Sequence, residues 1–189
     1  MLRTSQYSTL FFVLLVFGCS RPDSSDQNEA ASDTPDAATN EIASDVVAVL
    51  RPTAGNNASG IVAFFGREDG VLVRAEISDA TPGKHGFHVH ENGDCSAPDA
   101  SSAGGHFAID GTPHGAPDAM EGNRHVGDLG NLVVGQDGTG KYDRMDLILA
   151  LDGQNSIRGK AVVLHGGEDD LLSQPSGAAG PRIACGVIQ

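Results

Sequence analysis

The sequence predicts an all-β domain, an antiparallel β-sandwich or barrel. Short runs rich in β-branched residues alternate with turn-forming residues, which is the pattern of many short strands. No window carries apolar residues at helical spacing for long enough to form a helix. Glycine makes up 25 of the 189 residues, and so high a share supplies many backbone turns at positive φ. Aromatic residues are 5% of the chain and Trp is absent, so we expect an aliphatic core.

The predicted strands follow one another along the chain. They are 46–50, 61–65, 71–77, 86–90, 132–134, 141–151, 157–164 and 183–188. Residues 67–70 and the pair Asp137 and Gly138 separate neighbouring runs and are predicted hairpin turns. Two long stretches, 91–131 and 166–182, show little periodicity. Loops of that length in a compact domain usually carry function.

The first 44 residues are predicted to lie outside this domain. Residues 1–18 have the order of a secretory signal peptide. The run 16–19 resembles a bacterial lipobox, so we expect cleavage before Cys19 and lipidation of that cysteine; the alternative is a plain signal peptide with an incidental cysteine. Residues 19–44 hold six acidic side chains and one basic side chain, and they are predicted to form a disordered tether. The folded domain is then predicted to span 45–189.

The charge of the chain limits its partners. The formal net charge is −13, which argues against nucleic acid, because phosphate binding needs a cationic face. The longest apolar run, 10–17, is eight residues long, whereas a membrane-spanning helix needs about 20. We therefore expect membrane attachment only through lipid on Cys19.

Histidine is concentrated in one part of the chain. Six of the seven histidines fall within residues 85–125. His88 and His90 alternate along a predicted strand, so their side chains share a face and can hold one metal ion. His125 and Asp128 bring a carboxylate to the imidazoles, and three His with one Asp make a closed zinc site. Four imidazoles suit Cu(II). Six His and one Asp exceed one four-coordinate site, but they supply two sites that share one His.

Five segments carry a resemblance to a known family. They are GFHVH (86–90), GHF (105–107), GNRHVGDLG (122–130), His165 with EDDL (168–171), and GPRIACGVI (180–188). In this order they resemble the motifs of the copper–zinc superoxide dismutase family, and the resemblance covers essentially all of 45–189. It implies a Greek-key antiparallel β-sandwich or barrel of immunoglobulin-like architecture with two long functional loops; this family is itself a known case of that architecture. It also implies one copper and one zinc ion per chain, and the disproportionation of superoxide to dioxygen and hydrogen peroxide.

The resemblance assigns metal ligands by position. The copper ligands would be His88, His90, His106 and His165, and the zinc ligands would be His106, His114, His125 and Asp128. His106 would thus bridge the metals, and it would take up a proton when copper is reduced.

The resemblance also assigns residues around the metals. Asp169 matches a carboxylate that links the two sites, and His85 matches a histidine that supports the copper strand. Arg182 matches the arginine that guides the anion, so Arg182 and His106 are the catalytic candidates. Cys95 and Cys185 match the family's disulfide, the alternative being two free thiols.

The implied role is antioxidant defence in a bacterial cell envelope or periplasm, with a homodimer left open. The alternative is a non-catalytic copper and zinc carrier on the same fold. The second long loop has no Lys, where the family would place cations that attract the substrate. Lys84, Arg124 and Lys160 are candidate replacements, although we favour Arg124 as a partner in a structural salt bridge.

Overall fold

The computed structural model describes residues 45–109 and 111–189. The predicted signal peptide, the lipidation site Cys19 and the predicted tether 19–44 lie outside the described residues. Within the described ranges, no helix is both long and apolar enough to cross a membrane.

The described residues form an eight-stranded antiparallel barrel. The strands are β1 (Val46–Pro52), β2 (Ser59–Arg67), β3 (Gly70–Ser78), β4 (Gly83–His90), β5 (Asp128–Val134), β6 (Gly140–Asp146), β7 (Ala161–His165) and β8 (Arg182–Val187). The barrel closes in the order β1-β2-β3-β6-β5-β4-β7-β8. Because β3 pairs with β6 and β4 pairs with β7, the chain crosses over between hairpins, as in a Greek key. The all-β antiparallel prediction is confirmed.

Turn chemistry sets the hairpins where the sequence predicted them. Arg67 pairs with Gly70 at the end of β2 and β3, which leaves a two-residue turn. In the β5–β6 turn, Asp137 Oδ1 accepts the backbone N–H of Thr139 at 3.0 Å. Gly138 beside it has φ +77°, a conformation that glycine adopts without a steric penalty.

Three strand predictions were wrong by four or more residues at one end. The strand predicted over 141–151 ends at Asp146, because its Oδ1 accepts the backbone N–H groups of Ile148 and Leu149 at 2.9 and 3.0 Å and turns the chain. The strand predicted from residue 157 begins at Ala161, after a turn in which Gly159 has φ +72°. The strand predicted over 132–134 begins at Asp128, so the first long loop ends at residue 127.

The core is largely aliphatic, as predicted. Its largest fully buried side chains include Phe64, Phe87, Leu132 and Ile188. A disulfide joins Cys95 and Cys185 with an S–S distance of 2.02 Å across 90 residues of sequence. It ties the first long loop to β8, next to the entry of the second long loop into the barrel.

Candidate metal centre

Two groups of buried metal-ligand side chains lie side by side and share one histidine. The first group is His88, His90, His106 and His165, and the second is His106, His114, His125 and Asp128. In each group, one ligand atom from every residue lies within 4.8 Å of the others. The structure thus brings together all seven residues that the resemblance assigned to metals.

The barrel positions most of the four-histidine group. His88 and His90 lie on β4, which pairs with β7, the strand that ends at His165. The N–H at Nδ1 of His90 donates to the carbonyl of Gly104 at 3.0 Å, and the N–H at Nδ1 of His165 donates to the carbonyl of Gly180 at 3.1 Å. Because Nδ1 carries the proton in both rings, each Nε2 has a free lone pair that can bind a metal. The two Nε2 atoms are 3.3 Å apart.

Two further nitrogens complete this group. Among the described residues, Nδ1 of His88 and Nε2 of His106 are buried without a hydrogen-bond partner. The two rings lie with their centroids 4.0 Å apart. A buried polar atom without a partner is costly unless something else binds it. Four converging imidazole lone pairs fit a copper ion.

Asp128 organises the second group. Its Oδ1 lies 2.8, 3.0 and 3.2 Å from the Nδ1 atoms of His106, His114 and His125. Its Oδ2 accepts the backbone N–H groups of Gly115 and His125 at 3.0 and 2.9 Å, which holds the carboxylate in place. Three imidazoles around one carboxylate oxygen fit a closed tetrahedral zinc site.

Asp169 connects the two groups from behind. Its Oδ2 accepts the N–H at Nε2 of His88 at 2.8 Å, and its Oδ1 accepts the N–H at Nε2 of His114 at 2.9 Å. The backbone of Asp169 is fixed by a reciprocal pair of 2.8 Å bonds with the side-chain amide of Asn131. A carboxylate in this position sets the tautomer of both rings and turns their other nitrogens toward the metals.

Burial and charge prepare most of these rings for metal. Burial lowers the pKa of His88 and His90, that of His106 to about 4 and that of His165 to about 3, so these rings are neutral at neutral pH. Burial also acts to lower the pKa of His114, but hydrogen bonds to two carboxylates outweigh it and raise that pKa to about 9. Burial acts to raise the pKa of Asp128 and Asp169, and their histidine partners outweigh it and hold both pKa values well below the usual range.

Arg182 lies at a cavity that reaches the four-histidine group. The cavity has a volume of about 360 Å³, and His90, His106, His165 and Ser176 are among the residues that line it with Arg182. The guanidinium donates to the carbonyls of Ala100 and Gly104, at 2.5 Å each. These partners are neutral, so the positive charge of Arg182 is oriented without being cancelled.

The three candidate replacement cations have other partners. Lys84 pairs with Glu168 at 2.7 Å, and the ammonium of Lys160 lies 3.8 Å from the centroid of the Phe107 ring. Arg124 is buried, and its Nη2 donates to both carboxylate oxygens of Asp146 at 2.8 and 2.7 Å. Arg124 is therefore placed as a structural ion pair, the alternative that we favoured.

His85 supports the centre through the backbone. One ring nitrogen, Nδ1, lies 2.7 Å from the carbonyl oxygen of His165, and Nε2 lies 2.7 Å from the carbonyl oxygen of Thr81. The ring therefore contacts the peptide of a cluster residue rather than another imidazole.

Sequence reasoning missed three residues around the centre. Asn131 holds the backbone of Asp169, and Gln174 bonds to the backbone of His114 at 2.7 and 2.9 Å. Gly177 leaves room for the bond between Asp169 and His114. These contacts join segments far apart in sequence, and no local pattern marks them.

Comparisons with known proteins agree with this geometry. The family described as copper/zinc superoxide dismutase (SODC) matches residues 58–188. The chain is 44% identical over 149 residues to the Cu-Zn superoxide dismutase 2 of Brassica juncea, covering 75% of this chain and 95% of that relative. It is also similar to the crystal structure of the clock protein EA4, with a TM-score of 0.68 and 41% identity over 76% of this chain and 92% of that chain.

Proposed function

The chain belongs to the copper/zinc superoxide dismutase family, and from that premise we propose which of its residues hold each metal. The enzyme is an oxidoreductase that acts on superoxide, with copper and zinc as its cofactors. His88 through Nδ1, and His90, His106 and His165 through Nε2, would hold copper. The Nδ1 atoms of His106, His114 and His125, with Oδ1 of Asp128, would hold zinc.

One observation carries this assignment: His106 faces both groups with different nitrogens. Its Nδ1 lies 2.8 Å from Asp128 Oδ1, whereas its Nε2 is buried without a partner beside the other three imidazoles. A single ring in that position can bind both metals at once. The shared ring also explains how seven residues provide two four-coordinate sites.

The chain's own residues would bring in the substrate and handle protons. Copper, when bound, supplies the one-electron couple that oxidises one superoxide and reduces the next, whereas zinc has no redox chemistry. Arg182 would attract the anion into the cavity, because its hydrogen bonds go to two neutral carbonyls that orient the guanidinium and leave its positive charge in place. His106 lines the same cavity, and its Nε2, whenever it is not a ligand, can hold a proton for the forming peroxide.

The activity test combines metal content with the rate of superoxide decay. We expect the chain from Ser20 onwards, loaded with both metals, to bind one copper and one zinc and to remove superoxide catalytically by pulse radiolysis. His90→Ala should abolish turnover. Both metals bound without turnover would favour the alternative of a non-catalytic metal carrier.

Arg182 is tested by the salt dependence of the rate. Superoxide dismutases are a standard example of electrostatic steering, which raises association rates by about tenfold or more. We expect Arg182→Gln to lower kcat/KM by about tenfold and to weaken its dependence on ionic strength. An unchanged salt dependence would remove Arg182 from substrate guidance.

We further propose that the enzyme is exported and lipid-anchored to a bacterial membrane at Cys19, where it protects the cell envelope. The order of residues 1–19 supports this location, and the acidic segment 19–44 would act as a tether that keeps the domain clear of the membrane. When cells are grown with radiolabelled palmitate and then fractionated, the wild-type protein should carry the label in the membrane fraction, and Cys19→Ala should carry none. Label-free protein in the soluble periplasm would favour a plain signal peptide.

A homodimer is the assembly that we propose for the domain. Val49 and Ile61 lie opposite each other on β1 and β2 and remain 48% and 55% exposed. The closed barrel has no free edge, so a second copy would have to pack against such a face. Sedimentation should give a dimer for the wild type and a monomer for Ile61→Lys; a monomeric wild type would refute the dimer.

A further inference from the structure

The loop between β7 and β8, residues 166–181, contacts His114 at its ring and at both of its peptide groups. Asp169 Oδ1 accepts the N–H at Nε2 of the ring at 2.9 Å. Gln174 Oε1 accepts the backbone N–H of His114 at 2.7 Å, and Gln174 Nε2 donates to the backbone carbonyl of His114 at 2.9 Å. One side-chain amide therefore binds both peptide groups of a single residue.

The other proposed zinc ligands are held by a strand or by residues closer to them in sequence. Asp128 begins strand β5, and His106 forms an isolated β-bridge with His90. The backbone N–H of His125 donates to Asp128 Oδ2 at 2.9 Å. His114 lies in the middle of the first long loop, and within the described residues the hydrogen bonds of its peptide groups go to Gln174.

We propose that Gln174 is a positioning residue for zinc. It fixes the main chain of His114, while Asp169 fixes the orientation of the ring. The zinc affinity then depends on a loop that contributes no zinc ligand itself. This inference rests on the proposed assignment of zinc to the group formed by three His and Asp128.

The local structure keeps this amide in place. A second N–H of Gln174 Nε2 donates to the carbonyl of Leu172 at 3.1 Å, so the amide donates on both sides and accepts once. Gly177 allows the loop to approach. A Cβ at Gly177 would lie 1.8 Å from Asp169 Oδ1 and 2.7 Å from His114 Nε2, and its φ of +64° favours glycine. The two bonds from Gln174 to His114 therefore form in a loop that Gly177 allows to lie close to His114.

The test compares Gln174→Met with Gln136→Met in the full chain. Gln174→Met keeps the length of the side chain and removes all three hydrogen bonds, and Gln136 is an exposed glutamine in the β5–β6 turn. Equilibrium competition with a chelator gives the zinc and copper affinities separately. We expect about a tenfold loss of zinc affinity in Gln174→Met, which is the effect of one or two ordinary hydrogen bonds. Copper affinity should stay within twofold of the wild type, and Gln136→Met should match the wild type in both affinities.

Three outcomes would overturn the role of Gln174. The first is a zinc affinity in Gln174→Met within twofold of the wild type. The second is an equal loss of zinc and copper affinity, which would indicate a merely structural role. The third is fast exchange of the His114 amide proton with solvent in the wild-type protein, which would show that its bond to Gln174 is absent. We expect this proton to exchange slowly.

A matched variant separates this inference from the zinc assignment. His114→Ala should lose zinc while it keeps copper. If His114→Ala binds zinc as tightly as the wild type, the proposed zinc site is wrong. If His114→Ala loses zinc and Gln174→Met does not, the zinc site stands and only the role of Gln174 fails.

Discussion

Replacing Asp169 by Asn should weaken zinc binding far more than copper binding. The carboxylate accepts an N–H from His88 at 2.8 Å, an N–H from His114 at 2.9 Å and the backbone N–H of Leu171 at 2.7 Å. Asparagine offers one carbonyl oxygen and one NH₂ group. Whichever way the amide turns, at least one imidazole N–H then faces another donor.

The two histidines differ in what else holds them. His88 lies in β4 between two paired strands, so its ring stays close to its place without Asp169. His114 lies in a loop, and Asp169 is the hydrogen-bond partner of its Nε2. Loss of such a partner typically costs about 10- to 100-fold in metal affinity, or roughly 1.4–2.7 kcal/mol. We assign the larger loss to zinc, because strand pairing on both sides of β4 keeps His88 in place when its Asp169 partner is gone.

Chelator competition on the variant measures both affinities. Asp170→Asn is the matched control, because Asp170 accepts backbone N–H groups of Leu172 and Ser173 and contacts neither histidine. Zinc affinity in Asp169→Asn within threefold of the control would refute this reasoning. So would a copper loss larger than the zinc loss, since it would mean that the strand does not hold His88.

Three further predictions concern stability. Arg124→Ala removes the buried cation that bonds both oxygens of the buried Asp146 carboxylate and leaves it Arg144 at 3.9 Å, so it should cost about 3 kcal/mol in urea unfolding; a cost below about 1 kcal/mol would contradict this. Replacing Cys95 and Cys185 by Ala opens a 90-residue loop. The free energy of unfolding in urea should fall by about 4–5 kcal/mol, and a much smaller loss would contradict the chain-entropy explanation. Burial raises the pKa of Tyr142 above its usual value, so only the unfolded state ionises near pH ~10, and stability should fall above that pH by up to about 1.4 kcal/mol per pH unit. In the chain from Ser20 onwards Tyr142 is the only phenol, and phenolate absorbance appearing at pH ~10 in the folded protein would refute the shift.

Much of the barrel could be predicted because its strands carry local signals. Alternating side chains and turn residues mark the β2–β3 hairpin on both sides of residues 68–69. The error at the end of β6 occurs where a polar side chain overrides an apolar run. Residues 147–151 look like a strand, but the Asp146 carboxylate binds the next backbone N–H groups and ends β6. The same carboxylate holds Arg124, so its position depends on a partner that no local pattern reveals.

The metal centre divides in the same way. The spacing of His88 and His90 on a strand predicts that both point to one side, because side chains alternate along β structure. Spacing alone does not say that His106 is the shared ring; that came from the family resemblance. The bond between Gln174 and His114 joins residues 60 positions apart. It depends on how two loops pack, and a single sequence contains no periodic signal for such packing.

The two halves of the centre differ in how far the barrel fixes them. Three residues of the four-histidine group lie on β4 and β7, and only His106 comes from a loop. In the other group Asp128 alone lies on a strand. Strand residues are held by the ladder whether or not metal is present, whereas loop residues need side-chain bonds such as those from Asp169 and the disulfide. The copper half should therefore be preformed, and the zinc half should depend on the order of both loops. His106 belongs to both halves, so it is the one proposed copper ligand whose position depends on a loop rather than on a strand.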